Sequence, residues 1–416
     1  MSAPWPRAIR TESPGAPGIR SSDGHWAERE SGAHCGAEAS LFPGVEAAGQ
    51  ASLSRQYQAV LHGAVLIRRV LVGTRLGAMT APETSPEVIH RIKLTMVWAL
   101  ALLWLLDAVL QAQPRMFTVD FVSNIMKPSI AISPSLLFAL STWTLQVVSS
   151  NIGLWNSLFV VVQGAIATAL IVGLLRHDHR MIRIGLLLSI GWGLGVWVFG
   201  EGTSGVFTGN GTLLTGAPGS VTLYAAIAVL YLLPDRWWNL SARFCWPRDL
   251  LALVFLYGAI AQILTPGFWG PRGIDVLIEG QASMAPAWMV SPMTALVAFT
   301  YTHPVLSNAV FAGALLAVAA LLFGRAPKAL GFLLLGAALV VMWYWGQAFG
   351  GIFSGMGTDP GTPPLLVLLA LPAGTAWQLR RRRAGDHESP EESAAWRGPV
   401  DTATAASSPV AQLRRS

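Results

Sequence analysis

From Leu94 onward the chain alternates long apolar runs with short polar connections, many of them basic. A helix needs about 20 apolar residues to cross a bilayer, and somewhat fewer within a bundle. Runs of that kind lie near 93–112, 155–175, 184–200, 217–234, 250–265, 305–323, 329–347 and 363–379. The pattern predicts an all-α, polytopic membrane helix bundle with eight spans. Lys and Arg fall on alternate connections: Arg176, Arg180 and Arg183, then Arg236, Arg243 and Arg248, then Arg325 and Lys328, then Arg380 to Arg383. The intervening segments hold only Arg115, Lys127 and Arg272. Basic residues stay on the cytoplasmic side, so both termini are expected in the cytoplasm and the protein in the cell inner membrane.

Residues 1–85 lack a sustained apolar period except VLHGAVLIRRVLVG, and are read as a disordered or weakly interfacial extension. No secretory signal is expected there, because the first long apolar run continues as a full span. Met79 opens MTAPETSPEVIHRIK, a polar lead-in to that span, and is the expected start of translation. Intact mass of the natural protein showing residues before Met79 would refute this. Residues 386–416 are polar and read as a disordered cytoplasmic tail.

Two long stretches of the chain match each other. WVFGEGTSGVFTGNGT at 197–212 aligns without gaps to WYWGQAFGGIFSGMGT at 343–358, with seven of sixteen positions identical. Gln111 recurs as Gln262, Ser133-Pro134 as Ser291-Pro292, and Asn156 with Phe159 as Asn308 with Phe311. The chain therefore reads as two four-helix membrane repeats, 90–240 and 245–385. Each has an even number of spans, so the repeats run parallel. The long outer segments carry the apolar patches 133–148 and 287–302, which either lie at the interface or dip in as re-entrant helices.

Composition supports a chain solvated mainly by lipid: 53% of residues are apolar and only 12% charged, against about 25% in soluble domains. The net charge of +6 is spread among hydrophobic runs, which argues for the bilayer and not nucleic acid as the partner. Cys35 and Cys245 lie too far apart for a disulfide framework or a cysteine metal site. His177-Asp178-His179 reads as a solvated turn, since i,i+2 spacing does not put both rings on one helix face. His303 has no counterpart in the other repeat, so paired haem ligands are not expected. Trp192, Trp197, Trp269, Trp288, Trp343 and Trp345 read as an aromatic belt.

The glycine-rich turns lack the GxxxxGK[ST] pattern of a phosphate loop, and they follow no strand. Gly200, Gly205, Gly209 and Gly211, recurring as Gly346, Gly351, Gly355 and Gly357, are expected to serve close backbone approach and positive φ. Candidate chemistry lies beside them. A carboxylate in hydrocarbon costs about 2.5–3.5 kcal/mol on insertion scales, so Asp107 should face a bundle interior or wet cavity. Gln111 shares its helix face, and Glu201 ends the third span on the same side, with Gln163 deeper. The aligned positions in the second repeat are Gly258, Gln262 and Gln347, which predicts an acidic site in one repeat and a neutral one in the other. Asp107, Gln111, Glu201, Gln262 and Gln347 are thus candidates for binding a cation, proton or polar head group. The blander reading leaves Asp107 near the interface, capped by water. No catalytic residue, metal ligand or cofactor motif is identified; a quinone or lipid is the ligand left open.

The stretch NSLFVVVQGAIATALIVGLLRHDHRMIRIGLLLSIGWGLGVWVFGE at 156–201, after a first span ending in a proline step at 111–116, resembles the DoxX-like superfamily of small bacterial membrane proteins. Gln163 stands where that family usually has an acidic residue. The tandem form also resembles uncharacterised integral membrane proteins of high-GC bacteria. The resemblance implies an accessory role beside quinone-linked oxidoreductases. The leading expectation is therefore a non-enzymatic membrane module, either an accessory or scaffolding subunit of a membrane complex or a lipid or quinone binder. The alternative is a small-molecule transporter or proton-coupled permease with a polar site at the outer side between the repeats. An enzyme acting on a lipid-linked substrate is a third reading.

Overall fold

The computed structural model describes residues 84–242, 244–323 and 329–387. The N-terminal extension up to 83, the start at Met79 and the tail from 388 lie outside them, as do Arg243, Arg325 and Lys328.

Among the described residues every regular element is helical. The N-terminal half contains α1 (Pro86–Gln111), a short α2 (Lys127–Ala131) continuing a π-helical turn (Phe121–Met126), α3 (Ser135–Ser150), α4 (Ile152–Leu175), α5 (His179–Phe199) and α6 (Ser220–Leu232). The C-terminal half contains α7 (Trp246–Leu264), α8 (Ile274–Ala282), α9 (Ala287–Thr302), α10 (Pro304–Phe323), α11 (Ala329–Val341, extended by a π-helical turn to Gly346) and α12 (Thr362–His387). Six of these, α1, α4, α5, α7, α10 and Ala329–Gly346, are long and apolar enough to cross a membrane. The helix α6 is apolar but has only 13 residues. The patches read as interfacial or re-entrant form α3 and α9, each of 16 residues, and α3 leaves Leu136 and Trp143 exposed.

Local chemistry sets the helix ends. Ser85 caps α1, with Pro86 in its first turn and Glu87 favourable at the positive end of the dipole. Asp178 accepts from the backbone N–H of Arg180 (2.8 Å) and Met181 (3.2 Å), so within the His177-Asp178-His179 triplet Asp178 is the N-cap of α5 and His179 its first residue. The helix predicted over 217–234 starts only at Ser220, because Gly216 and Gly219 hold φ of +102° and +104° around Pro218.

In the N-terminal half α1 packs on α4, and α5 on both α4 and α6; in the C-terminal half α7 packs on α10 and α10 on α11. The last helix, α12, joins the halves by packing on α7, α6 and α1. Small residues permit the close crossings: a Cβ on Gly193 would lie 2.6 Å from the Val221 carbonyl oxygen across the α5–α6 contact. Arg248, expected in a solvated basic connection, is instead buried at 8% exposure. Its guanidinium is held by Asp249 (2.5 Å) and by the carbonyls of Leu240 (2.9 Å) and Ala242 (2.6 Å).

Each half also buries one amide pair at the same end. Gln111 donates to Asn156, whose Nδ2 returns a bond to the Gln111 carbonyl at 3.0 Å. Gln262 donates to Asn308 at 2.6 Å, and Asn308 returns to the Gln262 carbonyl at 3.3 Å. Gln262 Oε1 in turn accepts from Thr212 at 2.7 Å. Gln262→Leu should orphan both Asn308 Oδ1 and the Thr212 hydroxyl, at about 1–3 kcal/mol for each buried group. Thermal unfolding in detergent should show it well below Thr212→Val; equal melting temperatures would exclude this account.

Candidate functional site

The turns after α5 and α11 have the same unusual backbone. Gly202, Thr203, Ser204 and Gly205 hold φ of +55°, +57°, +52° and +69°. Ala348, Phe349, Gly350 and Gly351 hold +43°, +56°, +68° and +67°. Gly209 and Gly355 follow at +74° and +75°. Each turn is one winding of left-handed helix, a geometry that costs a non-glycine residue roughly 1–2 kcal/mol. Two to four consecutive residues so held are over-determined by their surroundings, as at functional sites. The Ser204 N–H reaches the Glu201 carbonyl at 2.8 Å, and the Gly350 N–H reaches the Gln347 carbonyl at 2.7 Å. Phe349 is fixed among Trp343, Tyr344 and Phe353, at ring-centre distances of 5.0, 5.7 and 6.0 Å.

The eight glycines expected to serve these turns divide by role. Gly205, Gly209, Gly351 and Gly355 supply positive φ. Gly211, Gly346 and Gly357 supply close approach instead: a Cβ there would come within 2.8 Å of Ser204 O, 2.2 Å of Leu214 O and 2.7 Å of Gly350 O. Gly200 does neither outside its own helix: it is right-handed, and its nearest neighbour is Val196. The four non-glycine members, Thr203, Ser204, Ala348 and Phe349, carry no sequence signal for this conformation.

The winding turns each chain back so that residue 201 or 347 meets the start of the following helix. Gln347 Oε1 accepts from the Thr362 N–H at 2.8 Å, while its Nε2 donates to Thr362 Oγ1 (3.0 Å) and the Leu214 carbonyl (3.3 Å). Every polar atom of Gln347 is therefore used. Glu201 stands in the equivalent place before α6, where a Cβ on Gly219 would lie 2.5 Å from its Oε2. Its Oε2 accepts from Ser204 Oγ at 3.0 Å.

A cavity of about 550 Å³ opens at this end of the bundle, lined by residues of both halves. Of the five candidates, Asp107, Gln111, Glu201 and Gln347 line it, and Gln262 sits apart in its own amide pair. Gln163 and Trp192 also line it. A third carboxylate, Asp359, comes from the connection before α12. Asp359 accepts from Ser220 Oγ (2.6 Å), the Gly361 N–H (2.8 Å) and Thr358 Oγ1 (3.0 Å). It directly follows the sixteen-residue match, within an Asp-Pro-Gly sequence that reads as an ordinary turn. Tyr224 is a second residue without a sequence signal: its hydroxyl lies against the Asp107 carboxyl, and its ring is 4.5 Å from that of Trp104.

Among the described residues Gln163 Oε1 and Trp192 Nε1 are buried here without a hydrogen-bond partner, and Asp107 Oδ1 and the Tyr224 hydroxyl have none beyond each other's side chain. Asp107 is 2% exposed and Gln163 8%. Burial pushes the Glu201 carboxyl up to about 8; the nearby Asp359 charge adds to this, and the Ser204 hydroxyl opposes it. Such groups are costly to leave unpaired, and they concentrate where ligands bind.

At the matching register of the C-terminal half the polar set is replaced by hydrocarbon. Trp104, Asp107, Gln163, Ser189 and Tyr224 correspond to Phe255, Gly258, Leu315, Leu335 and Leu366. Asp359 corresponds to Leu213, which packs so tightly on Gly258 that a Cβ there would be 2.9 Å from the Leu213 Cβ. Leu213, Phe255, Leu315 and Leu366 are all fully buried.

Comparison with protein-family models, with curated proteins and with solved structures finds no match to this chain.

Proposed function

We propose that the chain is an eight-span inner-membrane protein, built of two parallel four-helix repeats with both termini cytoplasmic, and that it works as a small-molecule transporter or proton-coupled permease. The observation that carries this reading is the unequal treatment of two matching positions. One half keeps carboxylates and unpartnered polar atoms around a cavity, and the other closes the same place with Leu213 on Gly258. Ionisable residues among membrane helices mark substrate and proton paths, and sites in duplicated carriers lie between the repeats. A volume of about 550 Å³ is in the range of small-molecule pockets. The matching amide pairs and left-handed turns support the duplication. The accessory-subunit and lipid- or quinone-binding readings draw on the apolar walls, but leave the acids without a task.

Proteoliposomes given an inward proton gradient and a water-soluble extract of bacterial cells should accumulate at least one solute, identified by mass spectrometry of their contents. Vesicles carrying Asp107→Asn with Glu201→Gln should not accumulate it. Identical contents for the two proteins would refute the permease reading.

A further inference from the structure

Resting on that reading of the cavity, we infer that its ligand is a monovalent organic cation, an amine or quaternary ammonium compound with an apolar body. The walls set the charge. Asp107, Glu201 and Asp359 line the cavity from three different elements, and among the described residues no Lys, Arg or His lines it. An anionic solute would find no Lys, Arg or His in the lining to pair with, and any wall carboxylate that is ionised would repel it in a poorly screened space. A cation would meet buried acceptors on the cavity wall: Gln163 Oε1, which has no donor among the described residues, and the Asp107 carboxyl, whose one neighbouring donor is the Tyr224 hydroxyl.

The spacing of the acids argues against a bare metal ion. Among the described residues no three His, Cys, Asp or Glu side chains come close enough to hold one. The charge is spread around a space large enough for a molecule. The remaining wall is mainly hydrocarbon and aromatic, with Trp104, Phe121, Phe159, Trp192 and Phe199 in the lining. Phe159 stands between Phe121 and Trp192, at ring-centre distances of 6.4 and 5.6 Å, so a connected aromatic surface runs along one wall. Aromatic faces attract ammonium groups and also cover an apolar body. Carboxylates fix the charged end, with charge-assisted hydrogen bonds where the amine has protons to donate.

Calorimetric titration of the full chain in nanodiscs with phenethylammonium, phenethyl alcohol and phenylacetate tests the charge separately from the ring. The ammonium compound should bind about tenfold tighter than the alcohol or more, with phenylacetate weakest. Asp107→Asn with Glu201→Gln should erase the cation preference yet keep the ring-driven binding of the alcohol, which also shows that the variant is folded. Alcohol or phenylacetate binding as well as the ammonium compound would overturn the assignment and leave the cavity reading standing. If none of the three binds, the solute found in the vesicle screen decides. A cation upholds the assignment, a neutral or anionic solute overturns it, and no solute at all overturns both this inference and the permease reading.

Discussion

Gly350→Ala is expected to remove most of the protein from the folded pool, whereas Gly209→Ala, with the same hand of backbone, should cost only about 1 kcal/mol. Both residues sit in the left-handed region, at φ of +68° and +74°. The difference lies in what surrounds them. A Cβ on Gly350 would stand 2.3 Å from the Asp359 carbonyl oxygen, 2.4 Å from the Pro360 carbonyl carbon and 2.6 Å from the Gly361 nitrogen. All three are backbone atoms, so no rotamer relieves the clash, and the segment carrying Asp359 must move. A Cβ on Gly209 would find only Thr265 Oγ1, at 3.9 Å. Size-exclusion chromatography after heating detergent extracts measures both variants. The account fails if their melting temperatures agree within about 1 °C, which corresponds to well under 1 kcal/mol at this size.

That contrast marks the limit of what the residues disclose by themselves. Among the described residues apolar run length located six helices long enough to cross a bilayer, and Asp107 and Glu201 stood out because carboxylates are rare in such runs. The left-handed winding was only half legible. Gly205, Gly209, Gly351 and Gly355 announce it, but Thr203 and Phe349 have side chains that disfavour it, and Phe349 is held in part by Trp288, distant in sequence. Asp359 was hidden for another reason. Its role depends on α12 packing against α6 and α1, which brings the connection before α12 to the first half's cavity. No local pattern encodes that approach. Gln262 shows the converse: its alignment with Gln111 was readable, but Thr212 and Asn308 use its side chain, so it has no free group for a ligand. The acidic site and the neutral site are therefore not two versions of one pocket. One is open, and the other is filled by Leu213.

Glu201→Gln is expected to raise the melting temperature on the order of 5 °C near pH 9 and to change it little near pH 4.5. Burial, with the Asp359 charge added, lifts the Glu201 carboxyl from 4.5 to about 8 in the native protein. Between those two values the folded chain holds a proton that the unfolded chain has released. Folding then takes up a proton, so native stability contributed by this group falls as pH rises through the window. Above about 8 both states are ionised and the penalty stays at its largest. The charged and titratable groups lining the same cavity or set against it, Asp107, Asp359 and Tyr224, are all acidic, so none compensates. Glutamine has no proton to lose, and Gln347 shows that an amide at this place can bond to the start of the next helix and to a carbonyl across the turn. Asp359→Asn should lower the upper edge of that window and leave its lower edge in place, by removing the neighbouring charge. Differential scanning fluorimetry across pH 4.5 to about 9 separates the causes. A gain equal at both ends would assign the effect to the new hydrogen bonds, and a loss near pH 9 would mean that the ionised carboxylate has a favourable partner in the native state. Under the proposed permease reading stability and use would oppose each other, because the protonatable carboxyl that weakens the fold is the one that would exchange a proton for a cation.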